Sequence, residues 1–178
     1  MDKATPPIKA IIGLGNPAPE YQKTYHNIGR IFVEYYASQE SKFLSFQTPS
    51  RKHFEFASDD VLLIKPLIFM NESGRAVKEA ADFLKLNSEN ILIAHDDSDM
   101  TLGNYKLVFD QSSAGHKGVQ SIIDTLGTQK FWRLKIGIRP VQEKVRQKAE
   151  KFVLKKISKK YFDILASVFD QAMSEMAQ

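Results

Sequence analysis

Cysteine is absent from this chain of 178 residues, so neither a disulfide nor a thiolate metal site is available to it. Long apolar runs are missing as well. Charge interrupts every hydrophobic stretch within about ten residues, well short of the roughly 20 that cross a bilayer. The first residues, Met1-Asp2-Lys3-Ala4-Thr5-Pro6-Pro7, lack the apolar core of a signal peptide. No G-x-S-x-G turn occurs, which removes the elbow that presents a nucleophilic serine. Internal repeats and low-complexity linkers are absent too. One cytoplasmic domain without a membrane anchor is the expected class.

Hydrophobic residues make up 43% of the chain, enough for a sizeable core. Formal net charge is +4, unevenly placed. Between Gln142 and Lys160, eight basic residues (Lys144, Arg146, Lys148, Lys151, Lys155, Lys156, Lys159, Lys160) stand against Glu143 and Glu150. That segment carries +6 and leaves −2 for the remainder. Such an excess attracts polyanions, nucleic acid above all. A solvated helix face is the alternative.

Apolar spacing outlines an alternation of strands and helices. Lys9 to Gly13, Val61 to Ile64 (stopped by Pro66) and Ile91 to Ala94 read as buried strands. Tyr105 to Phe109 and Phe131 to Ile138 are further strands, with minor ones near Phe43 to Phe46 and His53 to Phe56. Helical spacing runs through Ile28, Ile31, Phe32, Tyr35 and Tyr36. It recurs in Val77, Ala80, Ala81 and Leu84, where Asn71 or Ser73 is the expected cap. A third helix holds Val119, Ile122, Ile123 and Leu126, closed by Gly127, and a last one holds Tyr161, Ile164, Leu165, Val168 and Phe169. The pattern predicts a three-layer α/β domain with a largely parallel sheet.

In such a sheet the loops leaving the carboxyl ends of strands gather on one edge. Four polar segments are expected there: Asn16 with His26, Met70 with Asn71, His95-Asp96-Asp97, and Ser112-Ser113-Ala114-Gly115-His116-Lys117. His26 is the candidate base, because an unperturbed imidazole titrates near neutral pH. Asp96 is the natural acceptor for its other ring N–H. A histidine–aspartate pair with no serine or cysteine partner points to direct attack by water. Asn71 is an amide placed to donate to an oxyanion or to orient that water; its plainer job is a helix cap. Asn16 is placed to bind a substrate carbonyl or amide, or simply to support its turn.

Three local patterns compete with this reading. Gly13-Leu14-Gly15-Asn16-Pro17-Ala18 loosely fits a dinucleotide fingerprint, but Pro17 and the polar residues after it postpone the helix that would hold a pyrophosphate. Asp97-Ser98-Asp99-Met100-Thr101 is similar to an aspartate-nucleophile phosphatase motif, and Asp96-Asp97-Ser98-Asp99 reads as a magnesium site. Ser112 or Ser113 near His116 suggests a serine hydrolase, without the elbow it requires.

Taken in order, the motifs resemble those of bacterial-type peptidyl-tRNA hydrolases. They are Gly13-Leu14-Gly15-Asn16-Pro17, Thr24-Tyr25-His26-Asn27-Ile28-Gly29, Lys65-Pro66-Leu67-Ile68-Phe69-Met70-Asn71-Glu72-Ser73-Gly74, and His95-Asp96-Asp97-Ser98-Asp99. Gly115-His116-Lys117-Gly118, Leu126-Gly127-Thr128, Phe131 to Ile138 and Phe152-Val153-Leu154 follow. The resemblance implies cleavage of the ester joining a peptide to the 3′ ribose of tRNA, with His26 as general base, Asp96 orienting it, and no metal or cofactor. Asn16 and Asn71 would bind the peptidyl end beside Tyr21 and Met70, with His116 and Lys117 also at the substrate. Lys135 and a neighbouring Lys106 would clamp a tRNA phosphate. It also implies a twisted mixed, mostly parallel sheet in a single domain over residues 1–178, with a basic lid about 141–160 and a C-terminal helix about 160–177. A monomer is the expected state.

The departures carry information of their own. Lys117 replaces an asparagine that touches substrate in the family, offering donors but no acceptor. The loop before it is poorer in glycine, hence stiffer. Tyr25 stands where arginine is common, Ile138-Arg139-Pro140 lacks a usual glycine, and Val108 occupies one clamp position. A catalytically impaired RNA-binding relative is the alternative that Lys117 motivates.

Overall fold

The computed structural model of the protein describes residues 8–39, 44–58, 60–141 and 149–177. Six strands form one sheet: β1 (Ala10–Gly13), β2 (Phe54–Ser58), β3 (Leu62–Pro66), β4 (Ile91–Thr101), β5 (Tyr105–Phe109) and β6 (Trp132–Arg139). Their order is β2-β3-β1-β4-β6-β5. The pairs β1–β3, β1–β4 and β4–β6 are parallel, while β2–β3 and β5–β6 are antiparallel. The sheet is therefore mixed and mostly parallel, with three of its five pairings parallel and the antiparallel ones at its two edges. Its interior is parallel because helices cross over between those strands; each edge strand joins antiparallel to its neighbour.

Helices cover both faces. On one lie α1 (Ile28–Gln39) and α5 (Lys159–Met176), whose Phe32, Val33, Leu165, Val168 and Phe169 pack on Ile11, Leu92, Ala94, Leu134 and Ile136. On the other lie α2 (Ser73–Leu84) and α3 (Lys117–Leu126), whose Val77, Ala80, Val119 and Ile122 meet Ile12, Ile64, Ile91 and Ile93. Strand side chains alternate between the two cores, as the two-residue pleat requires. Each large apolar side chain so buried contributes about 1.5–3 kcal/mol. A short helix, α4 (Ala149–Phe152), precedes α5.

One close approach shapes the polar edge of the sheet. A Cβ on Gly29 would collide with the carbonyl of Ala94, so only glycine lets α1 rest its first turn on β1 and β4. The Leu14 N–H donates to the Ala94 carbonyl and the Arg30 N–H to the Leu14 carbonyl, each at 3.0 Å. This contact brings the turn before α1, with His26, against the residues that follow Ala94.

Several local expectations change. His95, Asp96 and Asp97 lie within β4 rather than in a loop after it, because β6 continues the ladder through Asp97↔Gly137 and, past a register shift, to Thr101↔Arg139. Pairing with a long partner overrides weak local strand preference. The expected strand near Phe43 to Phe46 reduces to a single bridge between Gln47 and Phe56, and Phe43 lies outside the described residues. Asn71 does not cap α2: it sits in a 3-10 turn, Met70–Glu72, and Ser73 Oγ donates back to the Met70 carbonyl at 2.7 Å. Gly127 ends α3 in the left-handed region, as expected. Of the basic segment, Lys144, Arg146 and Lys148 lie outside the described residues. Among the described residues no helix is long and apolar enough to cross a membrane.

Candidate active site

His26 is held by its backbone before its ring does anything. Its N–H donates to the Val153 carbonyl at 2.8 Å, and that of Tyr25 to the Lys155 carbonyl at 3.1 Å. A bridge between Thr24 and Lys156 continues the pairing. Residues 153–157 thus form a strap across the turn that presents His26. Tyr25 is buried and stacks on Phe152 with centroids 4.7 Å apart, which explains an aromatic residue at that position.

The ring of His26 meets Asp96, its Nδ1 lying 2.8 Å from Oδ1. The same oxygen receives His116 Nε2 at 3.0 Å. Tautomers follow from the network. The Val119 N–H donates to His116 Nδ1 at 3.2 Å, so the proton of His116 resides on Nε2 and donates to Asp96. His26 likewise donates through Nδ1, leaving Nε2 as a free lone pair on a partly exposed ring.

Asp96 itself is 3% exposed. Burial alone would raise its carboxyl, but His116 and His26 together overcome that and hold it far below the usual carboxylate range. Hydrogen bonds to a charged group contribute about 1.5–3 kcal/mol each, which offsets the desolvation.

These three side chains are also the one cluster among the described residues with the spacing of metal ligands. The proton inventory argues against that use. A cation at His116 Nε2 would need the proton moved to Nδ1, where it would collide with the Val119 N–H.

His95, the residue before Asp96, is buried and donates through Nδ1 to the Asp96 carbonyl at 2.7 Å. Burial, with His116 and Arg133 nearby, keeps its imidazole neutral well below the ordinary value. Its folded-state value is depressed, so the unfolded chain binds this proton first. Stability is therefore complete above about pH 6.5 and falls below it, by up to about 1.4 kcal/mol per pH unit. Asp96 adds a further loss as pH drops below about 4, the unfolded carboxylate value. Urea unfolding between pH 7 and 5 is expected to show a shallower pH slope for His95→Asn than for the wild type. Equal slopes would remove His95 as the source.

Asn16 is buried, and its side-chain oxygen already accepts the Met70 N–H at 2.8 Å. Asn27 grips it from behind, its Oδ1 accepting the Asn16 N–H and its Nδ2 donating to the Asn16 carbonyl. Asn16 thereby ties the first loop to the Met70–Asn71 turn and keeps its amide N–H groups to offer. Asn71 is exposed at the rim and Met70 is buried beneath it. A Cβ on Gly118 would strike the Met70 sulfur, so glycine there lets the start of α3 close on this turn. Tyr21 meets Phe69 edge to face at 6.4 Å, and Phe69 is half exposed. Phe69 went unremarked as a site residue in sequence because an aromatic beside a strand reads as core.

The acidic turn is committed to structure. Asp97 Oδ1 accepts the N–H groups of Asp99 and Met100, and Oδ2 pairs with Lys135 Nζ at 2.8 Å. That leaves no free carboxylate for a phosphatase nucleophile. Lys135 stands directly opposite Lys106 in the β5–β6 register, and Lys106 is exposed. Two lysines abreast repel each other, so this strand pair favours an anion between them. Lys117 lies further along, exposed, its Nζ 3.3 Å from Glu150 of α4. The glycine-poor loop is accommodated by placing Asp110 and Ala114 at positive φ, a conformation that costs energy for alanine.

The fold and its polar edge define an α/β protein whose site is organised around a histidine–aspartate pair. A family model described as peptidyl-tRNA hydrolase matches residues 10–178. Peptidyl-tRNA hydrolase from Hahella chejuensis is 39% identical over 172 residues, spanning 93% of this chain and 86% of that protein. The Mycoplasma mycoides peptidyl-tRNA hydrolase is 39% identical over 91% of this chain and 87% of its own. A crystal structure of the Acinetobacter baumannii peptidyl-tRNA hydrolase superposes with a TM-score of 0.83 at 32% identity, covering 96% of this chain and 87% of that one. The chain belongs to the peptidyl-tRNA hydrolase family and is a hydrolase.

Proposed function

We propose that this chain cleaves the ester between a peptide's terminal carbonyl and the tRNA 3′ ribose, by attack of water activated at His26 Nε2. The observation that carries this reading is the pairing of His26 Nδ1 with Asp96 at 2.8 Å, which leaves Nε2 unoccupied on the exposed side. Water loses its proton to Nε2 as its oxygen bonds to the carbonyl carbon. Asp96 stabilises the imidazolium, and the Asn71 amide donates to the oxyanion. The intermediate collapses, the ribose 3′ oxygen leaves, and the imidazolium returns the proton to it. No metal takes part in this scheme.

Asn16, Tyr21 and Met70 hold the peptidyl end in this reading, and His116 and Lys117 line the opposite wall. Lys106 and Lys135 take a tRNA phosphate, with Asp97 giving way as the phosphate arrives. A cytoplasmic monomer folded as one domain is the working state we assign. Single-turnover cleavage of N-blocked aminoacyl-tRNA tests the proposal directly. Tight tRNA binding without ester cleavage would overturn it in favour of a binding role.

The clamp has its own test. Replacing Lys106 or Lys135 by alanine is expected to reduce the slope of log affinity against log salt by about one unit each. Slopes identical to wild type would remove both lysines from the phosphate contact.

A further inference from the structure

Arg133 is a permanent cation 1% exposed to solvent, an expensive group to keep inside a sheet protein. Strand register puts it on the same face as Lys135, Ile93 and His95, under the loop that leads into α3. Its Nη2 donates to the Ser112 carbonyl at 2.8 Å, and its Nη1 has no hydrogen-bond partner among the described residues. Asp97, the anion that acts on it through space, is already held by Lys135. The cation is thus spent on the loop rather than on an ion pair.

His95 is its companion. Its Nδ1 fixes the Asp96 carbonyl, its Nε2 is buried without a partner among the described residues, and its ring lies edge-on to His116 with centroids 4.6 Å apart. One residue of this couple therefore grips the loop before His116, and the other grips the backbone of Asp96 and the ring of His116. The two ends of the His116–Asp96 hydrogen bond are set from beneath by side chains that never reach the cleft.

We propose that Arg133 and His95 are positioning residues that act through His116, holding its Nε2–H on Asp96 so that the carboxylate is shared between two histidines in a fixed geometry. The proposal rests on the reading of His26, Asp96 and His116 as the reacting cluster. The loop it concerns has Ala114 at positive φ, so it does not keep its shape by local preference. An external staple supplies what local preference lacks.

The test combines kinetics with a signal that needs no substrate. Arg133→Met and His95→Asn, the latter keeping a donor near the Nδ1 position, are each expected to lower kcat by about 10–100-fold with KM little changed. Arg133→Lys, still able to donate to Ser112, is expected to recover part of that loss. In the His116→Ala background the same substitutions should have almost no further effect. The slowly exchanging His116 Nε2–H proton resonance of the free wild-type protein should broaden or vanish in Arg133→Met and His95→Asn. If Arg133→Met fails to fold, His95→Asn and Arg133→Lys carry the comparison. Losses that simply multiply in the His116→Ala background, or an unaltered His116 resonance, would overturn the proposal. Because the resonance is read without substrate, it separates this failure from failure of the hydrolytic scheme.

Discussion

His26→Ala is expected to lower kcat for peptidyl-tRNA cleavage by about 10²–10⁴-fold, the usual worth of a positioned general base. Alanine removes the lone pair at Nε2 and leaves water to attack at its ordinary, very low nucleophilicity. Affinity for tRNA should change little, because the phosphate contacts are assigned to the side chains of Lys106 and Lys135 on β5 and β6, and not to His26. Folding should survive as well, since the turn is held by the backbone of residues 153–157 rather than by the ring. The measurement is single-turnover cleavage alongside filter binding of tRNA. Near-wild-type cleavage would end the mechanism.

Asp96→Asn is the second large effect, and the more informative one. The substitution preserves volume but swaps one acceptor oxygen for a donor. Aspartate accepts from both His26 and His116 at one oxygen; an amide turned to accept from them loses the charge that stabilises the imidazolium. Turned the other way, it donates to His26 Nδ1 and forces the proton onto Nε2, so the base is blocked. Either orientation is expected to lower kcat by about 10³–10⁴-fold. A proton-inventory check accompanies it. In the variant, the loss of stability below about pH 4 that Asp96 contributes should disappear, because no carboxyl remains to be protonated. A variant within ten-fold of wild type would mean that orientation of His26 does not depend on this charge.

Much of the architecture was legible in the order of residues. Ile28, Phe32 and Tyr36 mark α1, Ile91 to Ala94 mark the central strand, and Gly127 marks the end of α3. These are local facts: periodicity and a left-handed cap are decided within one or two turns of chain. The boundary of β4 was not legible, since Asp96 and Asp97 join the ladder only because β6 reaches far enough to pair with them. Residue patterns did not place the antiparallel edges, which only the family resemblance implied, as pairing of β5 with β6 across α3 depends on which strand lies next to which.

The candidate site divides along the same line. Composition and motif order sufficed to single out His26, Asp96 and Asn71, because each follows a strand or turn whose local signal is strong. Their roles were another matter. That Asp96 serves two histidines, that the Asn16 side-chain oxygen is spent on Met70, and that Asp97 is spent on Lys135 are contacts between residues 70, 20, 54 and 38 positions apart. A linear chain specifies which groups it owns and which local turns they favour. Which two of them share a proton follows from strand order and from one glycine-sized contact between α1 and β4, and those exist only once the sheet has closed.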